Sequence, residues 1–300
     1  MFDKNDPRAS LAWATKQAAS DFAGADYAKF YETTPQIKDA NGSTWIARGQ
    51  NFIVAYSDAN DGAVFERTNQ IDEYVLLLPD NGTGASVVTG AETKKIDGYS
   101  IVFVPPGKSR ITVHGKGRVI RLFSSLSKDV AAQCSNAASY AMPHPNIPPF
   151  APWPQPADGY KVRAYTLDVP DEPGRFGRIW RCSTFMVNFI PPQHGPRDRK
   201  KMSPHHHDDF EQCSLVLEGG YMHHLRWPWT VDMTKWREDD HEYCGAPSIT
   251  VIPPPSIHTS EAKAPGVNLL VDIFSPPRMD FTQKPGWVLN NDDYPMPEGA

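Results

Sequence analysis

The densest chemistry in the chain lies in one run, Pro204-His205-His206-His207-Asp208-Asp209-Phe210-Glu211. Read as an extended strand, in which alternate side chains share a face, it points His205, His207 and Glu211 one way and His206 the other. Two imidazoles and a carboxylate on one face form a nitrogen and oxygen donor set suited to a divalent first-row metal. A third imidazole, His258, follows the proline run Pro253-Pro254-Pro255 and the apolar stretch Ser248-Ile249-Thr250-Val251-Ile252, which reads as a β-strand. A histidine-rich surface tract that binds metal adventitiously needs no such distant partner. The expectation is therefore one divalent metal per chain, held by His205, His207, Glu211 and His258, with positions left for water or substrate.

The spacing His205-x-His207-x3-Glu211, the turn Gly219-Gly220, and Pro253-x-Pro255-x2-His258 resemble the two motifs of the cupin superfamily, small β-barrels with a metal at the centre. The departures fall on turns rather than ligands: Arg199 and Glu218 stand where the family has glycines, Pro255 replaces the second-motif glycine, and Ala262 stands where an asparagine is common. The resemblance implies a site of the three-histidine, one-glutamate type, which in the superfamily holds iron, manganese, nickel or zinc. Imidazole and carboxylate suit several of these ions; Fe(II) is the first choice.

A weaker copy lies upstream. Asp72-Glu73-Tyr74-Val75-Leu76-Leu77-Leu78 aligns with Phe210-Glu211-Gln212-Cys213-Ser214-Leu215-Val216, which sets Arg67 at the place of His205 and Asn69 at that of His207. Farther on, Pro105-x-Gly107-x2-Arg110 ends in arginine where the second copy has His258. Arginines do not ligate metals and repel them, so the first copy reads as metal-free and structural, with Glu73 paired to Arg67 or Arg110; a small-anion site using those two arginines is the alternative.

The elements that must position these residues are strands. The fold expected is all-β: two jelly-roll cupin β-barrels in one chain with a short N-terminal helical segment. Residues 1–40 are the N-terminal segment, helical from about 7 to 31; 41–142 the degenerate, metal-free barrel; 143–159 a proline-rich linker; and 160–300 the metal-binding barrel with a C-terminal tail. Three hundred residues suit two domains of average size, and 29 prolines with 21 glycines favour short strands and tight turns over long helices. The helical segment and the open sheet edges point to a homodimer.

Composition excludes several classes. A formal charge of −5 leaves no basic footprint for nucleic acid, and no apolar run approaches the ~18–20 residues of a membrane-spanning helix. The four cysteines form no CxxC pair and Met1-Phe2-Asp3-Lys4-Asn5-Asp6 does not open like a secretory signal, so a reduced, cytoplasmic setting is expected.

Substrate residues are sought in the strand Tyr221-Met222-His223-His224-Leu225-Arg226-Trp227, one alternate set of which must face the barrel cavity: either Tyr221, His223 and Trp227, or Met222, His224 and Arg226. His224, Arg226 and Tyr221 are the catalytic candidates, with Arg226 placed to grip a substrate carboxylate through its fork. Gln212, Asp208 and Asp209 can orient ligands from behind. The insertion from Pro228 to Gly245, with Trp229 and Trp236, reads as a lid or an ordered surface loop, and Arg175, Arg178 and Arg181 form a basic edge. The resemblance implies an enzyme on a small, anionic molecule: first an Fe(II) dioxygenase acting on a chelating organic acid, diketone or aromatic compound. The alternatives are a redox-neutral isomerase, decarboxylase or lyase on a sugar acid or small carboxylate, and a non-catalytic binding cupin.

Overall fold

The computed structural model describes residues 21–90 and 92–297. Two β-barrels lie back to back. The first is built from a seven-stranded sheet in the order Arg163–Thr166, Ser100–Val104, Tyr74–Leu78, Gly117–Ser124, Phe52–Ala59, Gly42–Arg48, Ile37–Asp39, faced by a four-stranded sheet, Val64–Gln70, Gly107–His114, Gly84–Thr89, Thr93–Ile96. The second sets Asp26–Lys29, Ser248–Ile252, Glu211–Glu218, Val267–Ser275, Met186–Phe189 and Ile179–Arg181 against a three-stranded sheet of Asp240–Gly245, Gly220–Arg226 and Ile257–Ala262. All the paired strands within these sheets run antiparallel, and each barrel closes with its apolar residues inside.

Strand alternation explains how the halves join. In Tyr74–Leu78, Tyr74, Leu76 and Leu78 enter the core of the first barrel, whereas Val75 and Leu77 enter a second core shared by both large sheets. Cys213, Leu215 and Leu217 meet them there from strand Glu211–Glu218. Both faces of these central strands are buried, so Tyr74–Leu78 is apolar throughout, whereas Glu211–Glu218 sets the polar Gln212 and Ser214 on the face opposite Cys213, Leu215 and Leu217. The two sheets so joined bury a continuous apolar layer, from Phe52 and Val54 to Ile249 and Val251.

Each barrel also lends an edge strand to the other half of the chain. Asp26–Lys29 pairs with Ser248–Ile252 in the second barrel, while Arg163–Thr166, beyond the linker, pairs with Ser100–Val104 in the first. The helix expected over 7–31 is thus corrected at its end, where residues 26–29 are strand and Phe30–Glu32 a single 3-10 turn; residues 7–20 lie outside the described residues. Each added strand covers the ladder of the strand beside it and becomes the terminal strand of its sheet. The proline-rich stretch 143–159 is pinned to both sides: the Asn51 side chain donates to the Pro148 carbonyl, and the Asn146 side chain donates to the carbonyl of Pro254.

The turn at Gly219 links the strands that frame the candidate site. Its φ is +71° and a Cβ there would meet the Val267 carbonyl oxygen at 2.5 Å, so only glycine fits. Among the described residues no helix is long and apolar enough to cross a membrane, and Cys134, Cys182, Cys213 and Cys244 are buried free thiols.

Candidate metal centre

His205 and His258 are brought together by the backbone. Each donates its N–H to the other's carbonyl, at 3.1 and 2.8 Å, and their rings lie 4.5 Å apart. His207 follows in an irregular segment, stacked 4.0 Å from Phe210, with its ring 5.0 Å from that of His258 and 6.3 Å from that of His205. His207 and His258 are buried, while His205 is exposed at the rim.

Glu211 is not with them, and this corrects the expected ligand set. Strand geometry begins only at Glu211, so alternation cannot be carried back across the irregular residues 206–210 to the histidines. The Glu211 side chain leaves the barrel and accepts hydrogen bonds from the backbone N–H groups of Gln50 and Asn51, each at 2.9 Å. Complete burial pushes its pKa up to about 7 against those two donors. Among the described residues, no three His, Cys, Asp or Glu side chains are grouped so as to hold a metal ion.

The next residue, Gln212, takes the inward position. Its Oε1 lies 3.0 Å from His207 Nε2 and 3.3 Å from His258 Nε2. The orientation of this amide is dictated from behind, because its NH2 faces Asp272 Oδ1 and Ser214 Oγ, both at 3.3 Å, and Ser214 donates to the same carboxylate oxygen at 2.8 Å. All three histidines rest Nδ1 on a main-chain carbonyl: His205 on Ser203 at 2.9 Å, His207 on Phe210 at 3.2 Å and His258 on Ser256 at 3.0 Å. A carbonyl only accepts, so each Nδ1 carries the hydrogen and each Nε2 keeps its lone pair. Protonation is no escape for the two buried rings. Burial first, and a neighbouring histidine or cation after it, pushes His207 down to about 3 and His258 to about 4.

Three acceptors, two imidazole lone pairs and an amide oxygen, therefore face one another without a hydrogen among them. That arrangement is unfavourable unless a cation lies between them. Separations of 3.0 and 3.3 Å also match neighbouring donors around an ion with bonds of about 2.0–2.2 Å. The residues fit a first-row divalent metal, with His205 beside them at the rim and Asp272 orienting Gln212 from behind, as carboxylates orient metal ligands elsewhere.

The register across Gly220–Arg226 and Ile257–Ala262 decides which face lines the cavity. Leu225 opposes His258 and His223 opposes Ser260, so Tyr221, His223 and Leu225 look inward with His258. Tyr221 is buried against Val216, Cys244, Ala262 and Leu270. His223 bonds Ser260 Oγ through Nδ1 at 2.9 Å, while its Nε2 is buried with no hydrogen-bond partner; burial lowers its pKa to about 3. His224 and Arg226 face outward, which corrects their assignment to the interior. His224 Nδ1 lies 2.7 Å from His241 Nδ1, and Arg226 forms an exposed fork with Asp239. Both line a shallow cleft that also reaches Pro204, Ile257 and His258.

Other expected features also land elsewhere. Arg67 is paired with Asp129 and Arg110 with Glu66, and neither touches Glu73, whose carboxylate accepts from Ser183 and Tyr294. Of the expected basic edge, Arg178 and Arg181 are buried staples: Arg178 donates to the Leu167 carbonyl, and Arg181 to the Asn291 side chain and the Tyr294 carbonyl, which straps down the C-terminal tail. The insertion after Trp227 is a loop with Trp229 and Trp236 stacked 4.6 Å apart, followed by strand Asp240–Gly245.

No family model matches the sequence, and no curated protein matches it. Solved structures do. The chain is similar to the oxalate decarboxylase of Lactobacillus farciminis, described as a formate complex, at 12% identity over 86% of this chain and 89% of that one, with a TM-score of 0.57. It is similar to a tryptophan-to-tyrosine variant of Bacillus subtilis oxalate decarboxylase at 11% identity, covering 85% of this chain and 78% of that one, TM-score 0.57. A serine-to-alanine variant of the same enzyme gives 12% identity, 85% and 78% coverage, and a TM-score of 0.56. The chain has the two-barrel cupin fold, all-β, with two jelly rolls in one polypeptide.

Proposed function

We propose that this bicupin is a metal-dependent enzyme acting on a small carboxylate by a redox-neutral reaction of the decarboxylase or lyase type. The metal, one divalent first-row ion in the second barrel, would be held by His207, His258 and Gln212 Oε1, with His205 beside them at the rim. The observation that carries the reading is the fixed orientation of Gln212, which turns its oxygen onto two imidazole lone pairs.

The donor set argues for the class of substrate. Two imidazoles and an amide are all neutral, so a bound ion keeps its full double charge and favours an anionic ligand in the open positions. When bound, the metal supplies Lewis-acid polarisation of a carboxylate or carbonyl. Around it, Asp272 holds Gln212 in place, the apolar wall of Tyr221 and Leu225 excludes water, and His223 Nε2 is the inward-facing nitrogen free to hydrogen-bond a substrate. The fold shared with enzymes described as oxalate decarboxylases supports the same class.

The test is a panel of small carboxylates, oxalate among them, incubated with protein loaded separately with Mn(II), Fe(II), Ni(II) or Zn(II), with CO2 release and O2 uptake measured together. CO2 release or substrate isomerisation without stoichiometric oxygen uptake is expected. Stoichiometric oxygen uptake with oxygenated products would return the assignment to the dioxygenase class, and tight metal binding with no turnover of any member would favour a binding cupin.

A further inference from the structure

The first barrel carries a cation where the second carries its buried carboxylate. With Glu73 set on Glu211, Leu76 falls on Ser214; Leu76 pairs across the sheet with Arg121, as Ser214 pairs with Asp272. Arg121 shares its strand face with Val119 and Phe123, whose side chains lie in the core of the first barrel, and its guanidinium sits 4.0 Å over the ring of Phe65. A guanidinium taken into a barrel ordinarily needs a carboxylate beside it. Among the described residues Arg121 forms no ion pair: its polar contact is Ser57 Oγ at 3.4 Å, and its Nε is buried without a partner. Arg67 is no competitor, since Asp129 holds its fork at 2.5 and 2.9 Å.

We propose that the first barrel binds a small carboxylate through Arg121, in a second ligand site separate from the candidate metal centre. One unpaired positive charge matches a single carboxylate, whose two oxygens fit the flat fork of the guanidinium; a phosphate dianion would leave excess charge among Leu76, Leu78 and Val119. Tyr74 and Ser109, whose hydroxyls bond one another at 3.0 Å inside the same barrel, retain one O–H between them to donate. Arg121 is half-buried as a residue, with its Nε enclosed in the barrel and without a partner. Burial lowers its pKa to about 10, which leaves it charged at neutral pH.

The probe is acetate, compared with chloride at equal ionic strength, read by thermal denaturation and by titration calorimetry on the full chain. A saturable acetate effect should persist in His258→Ala, where the second barrel is disabled, and acetate affinity should fall at least tenfold in Arg121→Gln. Arg121→Lys keeps the charge and loses the fork, which guards against misfolding of the first variant; its affinity should fall severalfold with an unchanged circular dichroism spectrum. Acetate acting no differently from chloride, or binding abolished by His258→Ala, or binding retained in both Arg121 variants, overturns the proposal.

Discussion

Glu73 and Glu211 occupy matching positions in the two barrels, and each sends its carboxylate out of its own barrel to a backbone turn of the other half. Glu211 accepts from Gln50 and Asn51 N–H groups at 2.9 Å; Glu73 accepts from Ser183 N–H at 3.1 Å, the Ser183 hydroxyl at 3.0 Å and the Tyr294 hydroxyl at 2.7 Å. The pair is a reciprocal clasp across the apolar layer between the sheets. A glutamate that reads in the sequence as a metal ligand is thereby assigned to assembly of the halves.

Glu211→Ala should destabilise the fold and leave the metal in place. Two buried N–H groups lose their acceptors, at about 1–3 kcal/mol each. Glu211→Gln should cost more than Glu73→Gln, because both oxygens of Glu211 face N–H donors, whereas an amide at 73 can turn its NH2 toward the Tyr294 oxygen. Urea unfolding with metal analysis of the folded protein checks this. Lost metal with unchanged stability would restore Glu211 to the ligand set.

Gly49→Ala tests the same clasp from the other side. An added Cβ would lie 2.6 Å from Glu211 Oε2 and 2.5 Å from the Phe52 ring, a clash expected to cost about 1–3 kcal/mol, whereas Gly266→Ala, with open space around it, should stay within about 0.5 kcal/mol. Equal midpoints for the two variants would contradict the packing described.

Burial raises the pKa of Glu73 above its ordinary 4.5. The folded protein then holds this proton more tightly than the unfolded chain, so the group's contribution is fully present below about pH 4.5 and is lost as pH rises through the folded pKa. Wild type should lose stability relative to Glu73→Gln as pH increases from 4.5 towards neutrality, followed by denaturant midpoints at a series of pH values. A gap between the two that is flat, or narrows in the opposite direction, would contradict the sign.

His258→Ala should abolish turnover and leave the fold intact, since it removes one imidazole and no ladder bond. Arg226→Ala should leave stability almost unchanged, as expected for an exposed, solvent-screened ion pair, and should leave KM unchanged, because its fork is turned to Asp239 and away from the cavity. A large rise in KM for Arg226→Ala would show that the outer cleft takes part in substrate binding.

The internal repeat is legible in the sequence because both copies carry an apolar run after a glutamate and a proline turn before the next ligand position. Its alignment holds residue for residue at Glu73 and Glu211, at Tyr74 and Gln212, and at Leu76 and Ser214. The direction of single side chains is not legible. Strand Tyr74–Leu78 is buried on both faces, so Val75 and Leu77 look like Leu76 and Leu78; in Glu211–Glu218 the polar Gln212 and Ser214 do alternate with the apolar Cys213 and Leu215, but here it is the polar face that turns to the barrel interior. Counting from His207 leads to Glu211, but His207 lies outside the strand, and one residue of irregular chain exchanges the faces. Asp272 does carry a signal: a lone carboxylate inside the apolar run Leu269-Leu270-Val271-Asp272-Ile273-Phe274 needs a buried polar partner, and Ser214 and Gln212 are that partner.

The measurement closest to the central claim is anomalous diffraction from crystals of the metal-loaded protein. A single peak should appear in the second barrel, about 2.0–2.3 Å from His207 Nε2, His258 Nε2 and Gln212 Oε1, with the Glu211 carboxylate still bonded to Gln50 and Asn51. A metal bound to Glu211, or no peak between the two imidazoles and the Gln212 oxygen, would contradict the account.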